Sequence, residues 1–120
     1  MKTHEYPVSI AFDITTKCNL LCEHCNRRNL RGETGHMSFE IAKIVTDEIS
    51  EYPVKPKCNL IGLGEPLLNP EFFDVVEYVH NKGLFCGSST NGMLLTARNQ
   101  EKIVNSGLDW FNISIDGFTS

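Results

Sequence analysis

Residues 58–88 decide the fold, and they read CNLIGLGEPLLNPEFFDVVEYVHNKGLFCGS. The first six residues form an apolar run of the length of a β-strand. Asn69-Pro70 predicts the start of a helix, with a capping side chain followed by a proline at the first helical position. Gly83 predicts the end of that helix, and residues 84–88 form a second apolar run. A strand, a helix and a strand in this order predict two parallel strands joined by a helical crossover.

The same alternation extends along the chain in both directions. Four strands are predicted, over residues 8–14, 58–63, 84–88 and 110–115. A first helix follows the capping residue Ser38, with an apolar face predicted at Ile41, Ile44, Val45 and Ile49. Further helices are predicted with Phe72, Phe73, Val76 and Val79 on one face, and from Thr96 to Ser106. The fold class predicted is therefore α/β, built from parallel strand–helix units.

Polar or glycine-rich turns follow each predicted strand. These turns are the cysteine segment after the first strand, Gly64-Glu65-Pro66, Thr90-Asn91-Gly92 and Asp116-Gly117. Because the carboxyl ends of parallel strands meet at one edge of the sheet, the sequence predicts one shared site there.

Three cysteines with the spacing C-x3-C-x2-C are the sharpest chemical signal. Cys18, Cys22 and Cys25 could hold three irons of an iron–sulfur cluster and leave the fourth open. Two alternatives stay open at this point. The cysteines could share one buried helix face, although the segment is polar, or they could bind structural zinc with His24 or His36 as a fourth ligand.

Composition limits the other classes of function. The formal net charge of −4 argues against a nucleic-acid-binding surface. No apolar run approaches the roughly 20 residues of a membrane helix, and the N-terminus is unlike a signal peptide, so a cytoplasmic location is expected.

Cys58 and Cys86 are interpreted as core thiols, and no role is assigned to three histidines, His4, His36 and His80. Three arginines either meet an anionic substrate or lie in a solvated loop: Arg27, Arg28 and Arg31.

Four motifs together resemble the radical S-adenosylmethionine (radical SAM) superfamily. They are ITTKCNLLCEHC at 14–25, GLGEPL at 62–67, STNG at 89–92 and ISIDG at 113–117. The resemblance implies a partial (β/α)6 barrel, of which this chain would be about half to two-thirds, truncated after the fourth strand. Residues 1–120 would then be the incomplete N-terminal part of a radical SAM core domain.

The resemblance also implies the cofactors and their contacts. Cys18, Cys22 and Cys25 would ligate a [4Fe-4S] cluster, and the amino and carboxylate groups of S-adenosylmethionine (SAM) would bind the fourth iron. Leu63 departs from the family pattern, which often has a glycine there. The residues implied to contact SAM are His24, Gly64, Glu65, Pro66, Thr90, Asn91, Ser114 and Asp116.

The activity implied by the resemblance is reductive cleavage of SAM to a 5′-deoxyadenosyl radical, which takes a hydrogen atom from a substrate. Peptides are among the candidate substrates, and an electron donor such as flavodoxin or ferredoxin is expected, with no nucleic acid and no membrane as partner. No residue is assigned as catalytic. The alternatives are a structural zinc or iron–sulfur module without radical chemistry, and an inactive truncated fragment.

Overall fold

Four parallel strands in chain order form the sheet of the computed structural model, which describes residues 5–115. The strands are β1 (Ser9–Asp13), β2 (Lys57–Ile61), β3 (Cys86–Thr90) and β4 (Trp110–Ile113). Each strand pairs in parallel with the next. Parallel neighbours require crossover connections, and helices supply them here. The predicted α/β fold of parallel strand–helix units is therefore confirmed.

Three α-helices make the crossovers. They are α1 (Phe39–Ser50), α2 (Phe72–Asn81) and α3 (Ala97–Asn105). The side chains of Ser38 and Thr96 accept hydrogen bonds from the first turns of α1 and α3, as the sequence predicts. Among residues 5–115, none of the helices has the length and apolar character needed to cross a membrane.

The hydrophobic core lies between the sheet and the helices α1 and α2. Side chains alternate along β1 and β2, so that Phe12, Cys58 and Leu60 are buried while Ala11 remains exposed. The core is completed by buried residues of the helices and of the connections, chiefly Ile14, Ala42, Ile49, Phe72, Val75, Val76, Val79 and Leu84. The predicted core position of Cys58 and Cys86 is confirmed, because both are fully buried.

The predicted apolar face of α1 is partly wrong. Ile41 and Ile44 are 53% and 67% exposed, and the buried stripe runs instead through Ala42, Thr46 and Ile49. The hydroxyl of Thr46 donates to the carbonyl of Ala42 at 2.7 Å. A threonine that satisfies its hydroxyl within its own helix can enter the core, and the hydrophobic pattern alone does not reveal this.

The predicted start of α2 at Asn69-Pro70 is early, because the helix begins at Phe72. Asn69 is buried, and its side chain forms hydrogen bonds to other parts of the fold instead of capping the helix. Its Nδ2 donates to the carbonyls of Ile14 and Met37, each at 2.9 Å. Its Oδ1 accepts from the backbone of Glu71. Asn69 therefore links the end of β1 to the segment before α1, and α2 starts three residues after it, at Phe72.

The third strand is shifted by two residues from its predicted position, and the fourth is shorter. Leu84 lies before β3 because its N–H still bonds the carbonyl of Val79 near the end of α2. β3 therefore begins at Cys86, whose N–H donates to the Asp109 carboxylate at 2.7 Å. β4 ends at Ile113.

The contact of α1 with α2 generates a prediction about acid stability. Asp47 of α1 accepts hydrogen bonds at 2.6 Å from Lys43, Lys82 and Tyr78, which hold its pKa well below the ordinary value of 3.8. A lowered carboxyl pKa stabilises the fold above about pH 4, and this stabilisation is lost as the pH falls toward the folded-state pKa.

We expect Asp47→Asn to lower the melting temperature at pH 7, with a deficit that shrinks as the pH falls below 3.8. Thermal unfolding followed by circular dichroism at several pH values measures this. Added salt should also shrink the deficit, since these groups are partly exposed. Glu77→Gln, at an exposed position of α2, is the control. An equal deficit at every pH would contradict the role of the Asp47 charge.

Candidate functional site

A cleft of about 180 Å³ lies where the carboxyl ends of the strands meet. It is lined by Cys18 and Cys25 from the loop after β1, residues 62–66 after β2, residues 89–91 of β3 and its end, and Ser114 after β4. Three of the four turns predicted to share a site therefore contribute to one cavity, together with Ser114 after β4, as parallel topology requires. The fourth predicted turn, Asp116-Gly117, lies outside the described residues.

The carboxylate of Glu65 joins the ends of β2 and β3. The residue is only 2% exposed. Its Oε1 accepts from the Thr90 hydroxyl at 2.6 Å and from the Leu67 N–H at 3.3 Å. Its Oε2 accepts from the backbone N–H of Asn91 at 2.8 Å. A buried carboxylate is stable only when donors surround it, so these bonds fix the two strand ends to each other.

The same turn also holds the entrance of the cysteine loop. The N–H of Gly64 donates to the carbonyl of Thr15 at 2.9 Å, and that of Glu65 donates to the carbonyl of Lys17 at 2.8 Å. A Cβ atom on Gly64 would lie 2.4 Å from both carbonyl oxygens. The close approach of two backbone segments therefore requires glycine at position 64.

The two ends of the cysteine loop pair with each other. Thr15 and His36 form an antiparallel bridge, and Thr15 Oγ1 lies 2.9 Å from His36 Nδ1. Thr16 and Gly35 exchange hydrogen bonds of 3.0 and 2.8 Å. Burial, and then the charge of Lys17, lower the pKa of His36, which favours its neutral form. His36, which the sequence analysis named only as an alternative zinc ligand, pairs with Thr15 where the two ends of the loop meet.

Two arginines of the cysteine loop form hydrogen bonds to backbone carbonyls of the same loop. Arg27 Nη2 donates to the carbonyl of Leu20 at 3.0 Å, and Arg28 Nη2 donates to that of Leu21 at 2.8 Å. Arg31 is exposed. These bonds support carbonyls of the segment between Cys18 and Cys25, so Arg27 and Arg28 shape the loop rather than lie wholly in solvent.

Burial divides the five cysteines into two groups. Cys58 and Cys86 are buried, and burial raises their pKa to about 11 and about 12. Since the thiolate is the form that binds metals, these two are poor ligands at neutral pH. The cysteines of the loop are half-buried, and none of the five is in a disulfide.

The loop thiols fit an iron–sulfur cluster by their chemistry: three half-buried thiols lie on one short loop, and two of them, Cys18 and Cys25, line the cleft. In residues 5–115, no three side chains among His, Cys, Asp and Glu are grouped so as to hold a single metal ion. Ligand sulfurs around a cluster lie farther apart than those around one ion.

The cleft brings together most of the residues expected to contact a cofactor. Its lining includes Gly64, Glu65, Pro66, Thr90, Asn91 and Ser114. His24 lies on the cysteine loop but is not part of the lining, and Asp116 lies outside the described residues. Sequence reasoning missed Asn19, whose Oδ1 accepts from Asn91 Nδ2 at 2.8 Å. Its position directly after Cys18 could have indicated that it lies near the cleft.

The fold is a parallel α/β sheet whose strand ends meet a loop that carries three cysteines. The chain belongs to the radical SAM superfamily, whose family model matches residues 12–120. Members of this superfamily use SAM together with an iron–sulfur cluster.

Two named relatives show the extent of the similarity. The tungsten-containing aldehyde ferredoxin oxidoreductase cofactor-modifying protein of Pyrococcus furiosus is 34% identical over 104 residues, which are 87% of this chain and 29% of that protein. The AdoMet-dependent heme synthase of Methanosarcina barkeri is 37% identical over 112 residues, which are 92% and 32% of the two chains. The chain thus spans about a third of the length of these relatives.

A solved structure shares the fold. The structure of BtrN in complex with AdoMet and 2-DOIA matches with a TM-score of 0.83 and 21% sequence identity, covering 98% of this chain and 49% of that one. At this identity the match shows the common architecture alone.

The contact of Gly64 with the cysteine loop gives a stability prediction. We expect Gly64→Ala to cost about 1–3 kcal/mol in the free energy of unfolding, because the new methyl group meets two backbone carbonyls that cannot swing away. Denaturant unfolding measures this cost. Gly35→Ala in the same loop is the matched control, since a Cβ there meets nothing within 4 Å. Equal stability of the two variants would contradict the close approach.

Proposed function

We propose that Cys18, Cys22 and Cys25 hold a [4Fe-4S] cluster and that the adjoining cleft binds SAM. The observation that carries this proposal is the convergence of Cys18 with the Glu65–Thr90 hydrogen bond in one cleft. Three protein thiols leave one iron of a four-iron cluster without a protein ligand, and the cleft next to it supplies polar groups for a small zwitterion.

When bound, the cluster and SAM would supply reductive cleavage of the cofactor to methionine and a 5′-deoxyadenosyl radical that takes a hydrogen atom from a substrate. The residues of this chain would bind SAM and orient it next to the cluster. The turn 64–66 would face the methionine amino group. The hydroxyls of Thr90 and Ser114, with Asn91, would face the ribose or carboxylate. His24 would lie near the adenine, and Asp116 would complete the contacts.

In this proposal Glu65 positions the cleft wall and does not contact the ligand through its carboxylate. Its two oxygens already accept three hydrogen bonds from the protein, one hydroxyl and two backbone N–H groups. The carboxylate would therefore hold the cleft wall in shape, while the backbone of the partly exposed Gly64 would face the ligand. Leu63, 36% exposed in the lining, adds an apolar surface at the place where the family often has glycine.

The substrate and the electron donor belong to the whole protein. We propose a peptide or a cofactor precursor as substrate, since named relatives include a mycofactocin maturase and heme synthases, and a flavodoxin or ferredoxin as donor. The substrate cavity would be completed by the rest of the barrel. Two further possibilities are a structural zinc or iron–sulfur module, and a chain that binds the cofactors without turnover.

Anaerobic reconstitution with iron and sulfide tests the proposal. We expect four irons and four sulfides per chain, and a reduced-state electron paramagnetic resonance (EPR) spectrum that changes when SAM is added. Replacing Cys18, Cys22 or Cys25 by alanine should abolish this spectrum. Cys58→Ala, which removes a buried thiol, should retain it.

Three other results distinguish the alternatives. Stoichiometric zinc without iron or sulfide would support a structural zinc module. A cluster whose EPR spectrum does not change when SAM is added would support a structural iron–sulfur module. SAM cleavage by dithionite-reduced protein would separate a competent core from an inactive fragment.

A further inference from the structure

The side-chain amide of Asn91 connects the end of β3 to the cysteine loop. Its Nδ2 lies 2.8 Å from Asn19 Oδ1 and 3.7 Å from the Sγ atom of Cys18. Its Oδ1 accepts from the backbone N–H of Met93 at 3.0 Å. The amide thus has a defined partner for its oxygen and two partners for its NH₂ group.

The orientation of this amide follows from its neighbours. The N–H of Met93 can only donate, so the oxygen of Asn91 must face it and the NH₂ group must face Cys18 and Asn19. The backbone N–H of Asn91 is itself held by the buried carboxylate of Glu65. The N–H group is therefore aimed at the sulfur before any cofactor binds.

We infer that Asn91 is a positioning residue that donates a hydrogen bond to the Cys18 sulfur and so raises the reduction potential of the cluster. The inference rests on the proposed function, because it takes Cys18 as a cluster ligand. Reduction places additional negative charge on the ligand sulfurs. An N–H group aimed at one of them stabilises the reduced cluster more than the oxidised one.

This role of Asn91 is additional to the proposed contact with the ribose or carboxylate of SAM, and it does not require SAM to be bound. Both of its amide hydrogens are directed to protein atoms, Asn19 Oδ1 and Cys18 Sγ. The residue also continues a chain of hydrogen bonds that starts at Glu65. The turn proposed to meet SAM is thereby connected to a cluster ligand, and an effect of Asn91 on the cluster should be measurable without SAM.

The test is an EPR-monitored redox titration of the anaerobically reconstituted chain in the absence of SAM. We expect Asn91→Leu to move the midpoint potential of the cluster to a more negative value, because leucine keeps the volume but removes the donor. Asn105→Leu is the matched control. That asparagine is exposed at the end of α3, donates to the carbonyl of Glu101, and should leave the potential unchanged.

The direction in which the midpoint potential changes distinguishes a hydrogen bond to the Cys18 sulfur from a purely structural role of Asn91. If Asn91→Leu merely opened the site to water, the better-solvated reduced cluster would move the potential upward. Asn91→Asp provides a second variant, since its carboxylate can still accept from Met93 but cannot donate to sulfur. It should also lower the potential.

An unchanged or raised potential in both variants would overturn the inference and leave the proposed function intact. Loss of the cluster from both variants, with the control loaded, would also overturn it, because Asn91 would then serve only to build the loop. Failure of the unaltered chain to take up a [4Fe-4S] cluster would refute the proposed function, and the inference with it.

Discussion

A buried carboxylate at the end of β2 is the constraint on which the rest of the site depends. Glu65 is tolerated at 2% exposure because three donors surround its oxygens, two of them from Thr90 and Asn91. Leaving such a group without its donors costs about 1–3 kcal/mol, so the ends of β2 and β3 are held in one arrangement. The N–H groups of Gly64 and Glu65 hold the entrance of the cysteine loop in the same way. One turn therefore positions the loop, the cleft and the neighbouring strand.

The order and direction of the elements could be predicted from the sequence, because they depend on strong local signals. Capping side chains and apolar runs identified each strand and helix. Predictions failed where a tertiary contact replaced a local preference. Asn69 looks like a helix cap, but its amide is used between β1 and α1. Thr46 looks like a surface residue, but its hydroxyl is satisfied inside the helix and the residue is buried, while Ile41 remains exposed.

The candidate site was predictable to the extent that its residues follow strands. Parallel topology alone brings the residues after each strand to one edge. The structure places two of the cysteines, the turns after β2 and β3, and Ser114 after β4 around one cleft. The supporting contacts could not be predicted. His36 and Thr15 are 21 residues apart, and Asn19 and Asn91 are 72 apart. Partners so distant in sequence are set by how the loop closes on itself and on β3, which no local pattern records.

Three protein thiols are proposed to hold a four-iron cluster and to leave one iron for SAM. Mössbauer spectroscopy of the chain reconstituted with ⁵⁷Fe measures this directly, since it reports the ligand environment of each iron. We expect one iron in four to change its isomer shift and quadrupole splitting when SAM is added, while the other three keep theirs. Four irons that remain indistinguishable and unaffected by SAM would contradict it.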